Sequence, residues 1–306
     1  MALKTTKSFV EIKVPATTAN LGPGFDCLGM ALDIWNTIRM ETGGFSIEVN
    51  GEGANLLSRG DDNLVYTSAA ALFSEIGEPV PPLKIACENG VPLARGLGSS
   101  SAAVVGGLVA ANALCGDPLS QDDLLSVAVR IEGHPDNVTP ALFGGCQIVV
   151  TDETKLITSE IPLARELWAV LYIPSQQMPT HQARGLLGTH ISRADAVFNV
   201  GRSALLVNAL ASGNLDLLKV ATQDRLHQNA RAVLFPAMHL IIRAALEAGA
   251  SGAFLSGAGS TILALTHNRE MTVGYEMADM ANKAGVQGDV KVTRVSSQGA
   301  HVMTVE

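Results

Sequence analysis

The chain has 306 residues, 47% apolar and 16% charged, which is material for a large core and, by length, for about two domains. Its 21 basic residues against 29 acidic ones leave a net charge of −8, which argues against non-specific nucleic-acid binding but not against local capture of an anion. No run reaches the ~18 apolar residues of a membrane span, MALKTTKSFV lacks a secretion signal's apolar core, and Cys27, Cys87, Cys115 and Cys146 form no CxxC, so we expect a cytoplasmic chain with reduced, mostly buried thiols and neither nucleic-acid nor membrane partners.

Val10, Ile12 and Val14 alternate with Glu11 and Lys13, which predicts a half-buried strand over 9–14 that Pro15 ends. The following ATTANLGPGFDCLG is rich in Gly, Pro, Asn and Thr and reads as a loop. Turn chemistry by itself accounts for its polar residues Thr17, Thr18, Asn20 and Asp26. Strands are expected over 32–40 and 45–49, then a helix over 63–76 capped by Asp61 and Asp62, then a strand over 83–87.

The stretch PLARGLGSSSAAVVGGLVAANALC, residues 92–115, is the centre of the chain. Gly96 and Gly98 permit a sharp turn and close approach of backbone to an anion. Ser99, Ser100 and Ser101 follow, with serine a preferred helix cap, and then an almost uncharged run that reads as a buried helix. Free amides and the positive end of a helix dipole make a phosphate site, while an ordinary capped helix explains the residues equally well. Gly106 and Gly107 inside the helix suggest close packing against another backbone. There is no GxxxxGK[ST] in the chain, and this turn is not a GxGxxG.

Ser120 and Asp123 form a capping box that opens a helix running to about residue 131. Glu132, His134, Asp136 and Asn137 then read as a polar turn; a carboxylate and an Asp-Asn pair downstream of a phosphate loop are also what Mg²⁺-dependent phosphoryl transfer needs. A strand is expected over 145–151, and a soft boundary over 155–165, taken at 160/161, separates a first domain, 1–160, from a second, 161–306. The second opens on a strand over 168–172. Thr180 and Arg184, four residues apart, share one face of a helix start. Helices are expected over 194–211, from 215 onward carrying Arg225, His227 and Arg231, and over 238–247 with Gly249 closing it. A strand, a tight glycine-rich turn over 256–260 and a second strand follow, then a helix over 272–283 and a strand over 290–295.

GLGSSSAA resembles the central motif of the GHMP kinases, the family of galactokinase, homoserine kinase, mevalonate kinase and phosphomevalonate kinase. PATTANLGPGFD resembles the first motif of its homoserine kinases, and 251–263 its third, glycine-rich motif. The region 132–145 and the Thr180/Arg184 pair match as well, so the resemblance covers nearly the whole chain. It implies an α+β GHMP kinase fold, with a ribosomal-protein-type N-terminal half and a ferredoxin-like C-terminal half. It implies ATP and Mg²⁺ as cofactors and L-homoserine as the substrate, phosphorylated on its hydroxyl on the way to threonine. Pro92, Arg95, Gly96, Leu97, Gly98, Ser99, Ser100, Ser101 and Ala102 would then bind ATP, the GLGSS loop and Ser101 holding its phosphates, with Asn63 and Leu64 near adenine and ribose. Glu132 and Ser100 would ligand Mg²⁺. Asn137 would orient the hydroxyl, with Asp136 the candidate base. Asn20, Asp26, His134, Thr180, Arg184, Arg231, Gly257 and Gly259 would surround the amino acid. Asp26, with no basic residue nearby in sequence, would meet its ammonium, and Arg184 and Arg231 its carboxylate. The rival readings are another small-molecule kinase of the family, of mevalonate type, where Asp26 would have no ammonium to meet, and a catalytically inactive ligand sensor on the same fold. Pairing as a homodimer is left open.

Overall fold

The computed structural model describes residues 6–153 and 155–306; the first five residues of the stretch read for a secretion signal lie outside them. The first strand, β1, runs over Phe9–Ala19 and pairs antiparallel with β2, Leu28–Thr42. Pro15 does not end it. The pairing register shifts between Pro15 and Ala16, an irregularity at which a residue without an N–H is tolerated. Thr17 and Thr18 are therefore buried strand residues, and the connection to β2 is only 20–27.

The first sheet has the order β11-β1-β2-β4-β3, where β3 is Ser46–Gly51, β4 is Leu83–Asn89 and β11 is His301–Val305. The near end of β2 also pairs with β5, Cys146–Asp152, which carries β6, Lys155–Ile161, on its other side. Strands β6 and β11 are absent from the sequence reading. Both are mostly exposed, so they lack the apolar run or clean alternation by which a strand is recognised. Four helices share a core with this sheet: α1 Leu64–Glu75, α2 Ser99–Leu114, α3 Gln121–Glu132 and α4 Pro135–Phe143. Asn63, not Asp61 or Asp62, caps α1, its Oδ1 accepting from the Val65 N–H at 2.9 Å. The capping box of Ser120 and Asp123 forms as read. A Cβ on Gly107 would stand 2.3 Å from the Val65 carbonyl oxygen, so α2 packs backbone to backbone on α1 there.

The second sheet has the order β10-β7-β9-β8, all antiparallel: β7 Trp168–Pro174, β8 Gly252–Leu255, β9 Ile262–Thr266 and β10 Gly288–Arg294. With α6, Arg193–Ser212, between β7 and β8, and α10, Glu270–Lys283, between β9 and β10, this is the βαββαβ arrangement of a ferredoxin-like unit. The shorter helices are α5 Thr180–Gly185, α7 Leu218–Ala221, α8 Gln228–Arg231 and α9 Met238–Glu247. The continuous helix expected from 215 is thus broken into a 3-10 turn, α7 and α8. The Asp224 carboxylate takes the N–H groups of Leu226, His227 and Gln228 and so starts a new turn there. The chain crosses to the second sheet after Ile161 and returns to the first for β11. A core containing Leu21 and Leu28 with Leu206, Leu218 and Phe254 joins the two sheets. Among the described residues no helix is long and apolar enough to cross a membrane. All four cysteines are free. Burial pushes the Cys87 and Cys146 thiols up to about 12, while Cys115 is half-buried and Cys27 exposed, so two of the four fit the expectation of mostly buried thiols in full.

Candidate active site

The turn expected to hold phosphate owes its shape to Gly98, which sits at φ +68° as the N-terminal cap of α2. A Cβ there would stand 2.0 Å from Thr17 Oγ1. The expectation of a serine cap is corrected: Ser99, Ser100 and Ser101 fill the first turn of α2, and no side chain caps it. The Ser100 and Ser101 hydroxyls instead donate to Glu132 Oε2 and Oε1, each at 2.9 Å. The first-turn amides of α2 are left uncapped and available to an anion. Gly96 sits at φ +74°, and a Cβ there would stand 2.1 Å from the Ser256 carbonyl oxygen and 2.8 Å from the Gly259 nitrogen. The central and C-terminal glycine-rich turns therefore touch backbone to backbone.

Glu132 is the last residue of α3, and His134 is the N-terminal cap of α4. The polar turn expected here is only Gly133 and His134; Asp136 and Asn137 lie in the first turn of α4. His134 Nδ1 is 2.8 Å from Asp136 Oδ1, and its Nε2 is 3.8 Å from Glu132 Oε1. Burial opposes the charged imidazole, but the Asp136 hydrogen bond and the two carboxylates outweigh it and hold the His134 pKa above its ordinary value. Asn137 Oδ1 accepts from Thr17 Oγ1 at 2.9 Å. Four polar groups thus converge where α3 turns into α4, opposite the start of α2. Among the described residues no three His, Cys, Asp or Glu side chains cluster to hold a metal. The hard oxygens of Ser100 and Glu132 nevertheless suit Mg²⁺, which takes one or two carboxylates and completes its shell with phosphate and water.

Asp26, in the 20–27 loop, is left-handed at φ +58°. Its N–H donates to Asn20 Oδ1 at 3.0 Å, and Asn20 Nδ2 donates to the Gly257 carbonyl at 3.1 Å. Arg184 on α5 meets Asp26 end-on, Nη2 to Oδ1 at 2.6 Å and Nη1 to Oδ2 at 3.0 Å. The partner that Asp26 lacks nearby in sequence is thus supplied by Arg184, so the two residues expected to meet opposite ends of the substrate pair with each other. That pairing also removes Asp26 as an argument against a mevalonate-type acceptor, since a partner is present without an ammonium. The Asp26 hydrogen bonds hold the Arg184 pKa above its ordinary value. Arg231 is 1% exposed; its Nη1 donates to the Gly257 carbonyl at 2.8 Å and to His227 Nδ1 at 3.0 Å, and its Nε has no partner. Burial, with Arg184 close by, brings its pKa down to about 10. Both guanidinium carbons stand 5.6 Å from the Phe25 ring centre.

Glu132, His134, Asp136, Asn137, Asn20, Thr180, Arg184, Arg231 and Gly257 line one cavity of about 340 Å³ with Asn63, Leu64 and the residues from Gly96 to Ser101. Pro92, Arg95, Ala102 and Gly259 do not line it, and neither does Asp26, whose partner Arg184 does. Arg95 donates to the Leu93, Pro174 and Ser175 carbonyls and ties the turn to the end of β7. Ala102 is fully buried in α2. The sequence reading missed the support behind Arg231. Asp224 accepts from Asn199 Nδ2 at 2.8 Å as well as from three backbone amides, and His227 Nε2 donates to the Gly22 carbonyl at 2.8 Å. No local motif marks these residues, because their partners lie in other elements.

His227 is fully buried, and burial, with Arg231 nearby, holds its pKa down to about 4 against the pull of Asp224 and Asp26. Above pH 6.5 both folded and unfolded chains leave it neutral. Between 6.5 and about 4 only the unfolded chain takes up the proton, so stability falls with acid across that window. His227→Gln should flatten this part of the curve, which amounts to about 3 kcal/mol at most. Urea unfolding of both proteins from pH 7 to pH 4 measures it, and parallel pH curves would exclude His227 as the cause.

The model of the GHMP kinases N terminal domain matches residues 63–145, and that of GHMP kinases C terminal matches 206–273. A homoserine kinase of Desulfitobacterium hafniense is 45% identical over 296 residues, 96% of this chain and 100% of that one. A homoserine kinase of Microchaete diplosiphon is 44% identical over 297 residues, 96% and 97% of the two chains. The crystal structure of homoserine kinase from Cytophaga hutchinsonii matches with a TM-score of 0.87 at 29% identity over 99% of this chain and 100% of that one. A Streptococcus pneumoniae phosphomevalonate kinase, TM-score 0.73 at 14% identity over 93% and 99%, shares the fold.

Proposed function

The chain belongs to the GHMP kinases, in their homoserine kinase branch, and from that premise we propose that its cavity transfers the terminal phosphoryl group of ATP to the hydroxyl of L-homoserine, giving O-phospho-L-homoserine and ADP. The observation that carries this reading is the single cavity that joins the uncapped start of α2, with Glu132 beside it, to the Arg184/Arg231 pair.

The amides of Ser99 to Ser101 and the helix dipole bind the phosphates. Glu132 and Ser100 would hold Mg²⁺, which when bound would supply charge neutralisation for the phosphates. Arg184 and Arg231 bind the substrate carboxylate. Asp26 uses two lone pairs on Arg184, and an ionised carboxylate has about four, so the remainder can accept from the ammonium. Asn137, steered by Thr17, orients the hydroxyl. Asp136, held by His134, takes the hydroxyl proton as the new P–O bond forms. Phosphoryl transfer passes through a loose transition state and depends mainly on such positioning and electrostatics.

ADP formation from ATP with L-homoserine, mevalonate and galactose in parallel tests the reading: turnover is expected with homoserine, and a faster rate with mevalonate would sink it. The phosphate end is tested separately by Gly98→Val. A branched side chain at φ +68° meets Thr17 and the space the anion must enter. ATP affinity of the folded variant should fall at least about tenfold by titration calorimetry, each tenfold being about 1.4 kcal/mol. An unchanged affinity would remove the phosphate role of this turn.

A further inference from the structure

The nucleotide end of the cavity holds two side-chain amides to which the mechanism assigns no role. Asn36 in β2 and Asn89 at the end of β4 are direct partners in the antiparallel register. Their Cβ atoms therefore lie on the same side of the sheet, about 5 Å apart. Asn36 alternates with Ile34 and Ile38 on the inward face and is 4% exposed. Its Oδ1 accepts from the Gly90 N–H at 2.9 Å and the Val91 N–H at 3.0 Å. Two donors require the oxygen at that end, so the amide orientation is settled by its neighbours. Nδ2 has no hydrogen-bond partner among the described residues, and Asn36 lines the cavity. Asn89 is fixed the other way round. Its Nδ2 donates to the Glu52 carbonyl at 3.1 Å, which leaves Oδ1 without a partner, and it too lines the cavity. A donor and an acceptor therefore stand side by side, and the wall around them, Ile38, Val49, Leu57 and Cys87, is apolar.

We infer that Asn36 and Asn89 read one edge of the purine and select adenine: Asn36 donates to a ring nitrogen, and Asn89 accepts from the exocyclic amino group. This rests on the cavity being an ATP site. The apolar surroundings suit a flat base rather than a ribose. Adenine carries an amino donor beside a ring-nitrogen acceptor. Guanine puts a carbonyl oxygen where adenine has its amino group, so that oxygen would face Asn89 Oδ1, acceptor against acceptor. A pocket built to hydrogen-bond a group discriminates strongly when the partner cannot supply it, because its own buried polar atoms are left unpaired.

Calorimetric titration of the full chain, with Mg²⁺ and no acceptor substrate, tests this with ATP, GTP, purine riboside triphosphate, 1-deaza-ATP, 7-deaza-ATP and 2′-deoxy-ATP. ATP should bind at least about tenfold tighter than GTP and the amino-free purine riboside triphosphate. One of the two deaza compounds should weaken by a similar factor, and 2′-deoxy-ATP should match ATP. Asn36→Asp keeps an oxygen for the Gly90 and Val91 amides but replaces the donor by an acceptor. It should weaken ATP about tenfold or more and bring the ATP/GTP ratio near one, with the homoserine KM unchanged. Equal binding of all base-modified nucleotides by the unmodified chain would overturn the proposal. So would wild-type ATP affinity in Asn36→Asp, or a loss confined to 2′-deoxy-ATP, which would put the amides on the ribose. Adenine-selective binding without ADP formation from homoserine would leave this proposal standing and remove the homoserine reading.

Discussion

Glu132→Gln should lower the turnover number by about two to three orders of magnitude, the scale of removing one electrostatic contact to a reacting centre. The homoserine KM should move far less. Glu132 accepts from the Ser100 and Ser101 hydroxyls. Glutamine is isosteric, and a serine hydroxyl rotates to accept from its NH₂ as readily as it donated to the carboxylate, so the corner between α2 and α3 should persist. What is lost is the negative charge by which, on the proposed reading, Glu132 would attract Mg²⁺. Turnover measured against rising Mg²⁺ checks this: partial recovery at high Mg²⁺ fits weakened metal binding. Wild-type turnover at saturating Mg²⁺ would move the metal to another carboxylate, with Asp136 the first to replace.

Asp26→Asn should raise the homoserine KM by one to two orders of magnitude, while the ATP KM hardly changes. A hydrogen bond to a charged group contributes about 1.5–3 kcal/mol. Removing one partner of a fully buried pair costs about 3–5 kcal/mol. This pair is about a third exposed on each side, so the lower range applies. The variant also leaves Arg184 uncompensated beside Arg231, and the pocket becomes more cationic. It should then bind a carboxylate without an ammonium almost as well as homoserine, so the preference for homoserine over 4-hydroxybutyrate should collapse. A raised KM with that preference intact would mean that Asp26 acts only by steering Arg184. An unchanged KM would remove it from the site.

Local stretches carried much of the molecule. The turn before α2 and α2 itself follow from a glycine-serine stretch and a long apolar run, α3 from its capping box, and the α2–α1 contact from Gly107, where a Cβ would stand only 2.3 Å from the Val65 carbonyl oxygen. These signals are legible because the interactions behind them span a few residues, or because one residue type by itself relieves a steric conflict. The candidate site residues came by a different route: a motif resemblance gave Glu132, Asn137, Asp26, Arg184 and Arg231 their expected roles, where composition and spacing only marked some of them as polar groups in suitable places.

The tertiary structure decided how those residues meet. Asp26 and Arg184 are 158 positions apart, and nothing in either neighbourhood announces that they pair. The Asp224 and His227 support behind Arg231 is unmarked for the same reason, as is the facing of Asn36 and Asn89, which depends on strand register. Edge strands β6 and β11 escaped because a strand held by backbone hydrogen bonds along a sheet margin needs no apolar face, and so leaves no periodicity to read. The helix expected from 215 failed because a single carboxylate, Asp224, offered the backbone amides a better partner than the preceding turn could. Short-range sterics and apolar periodicity are written along the chain; pairings between distant side chains exist only once the sheets have brought them together.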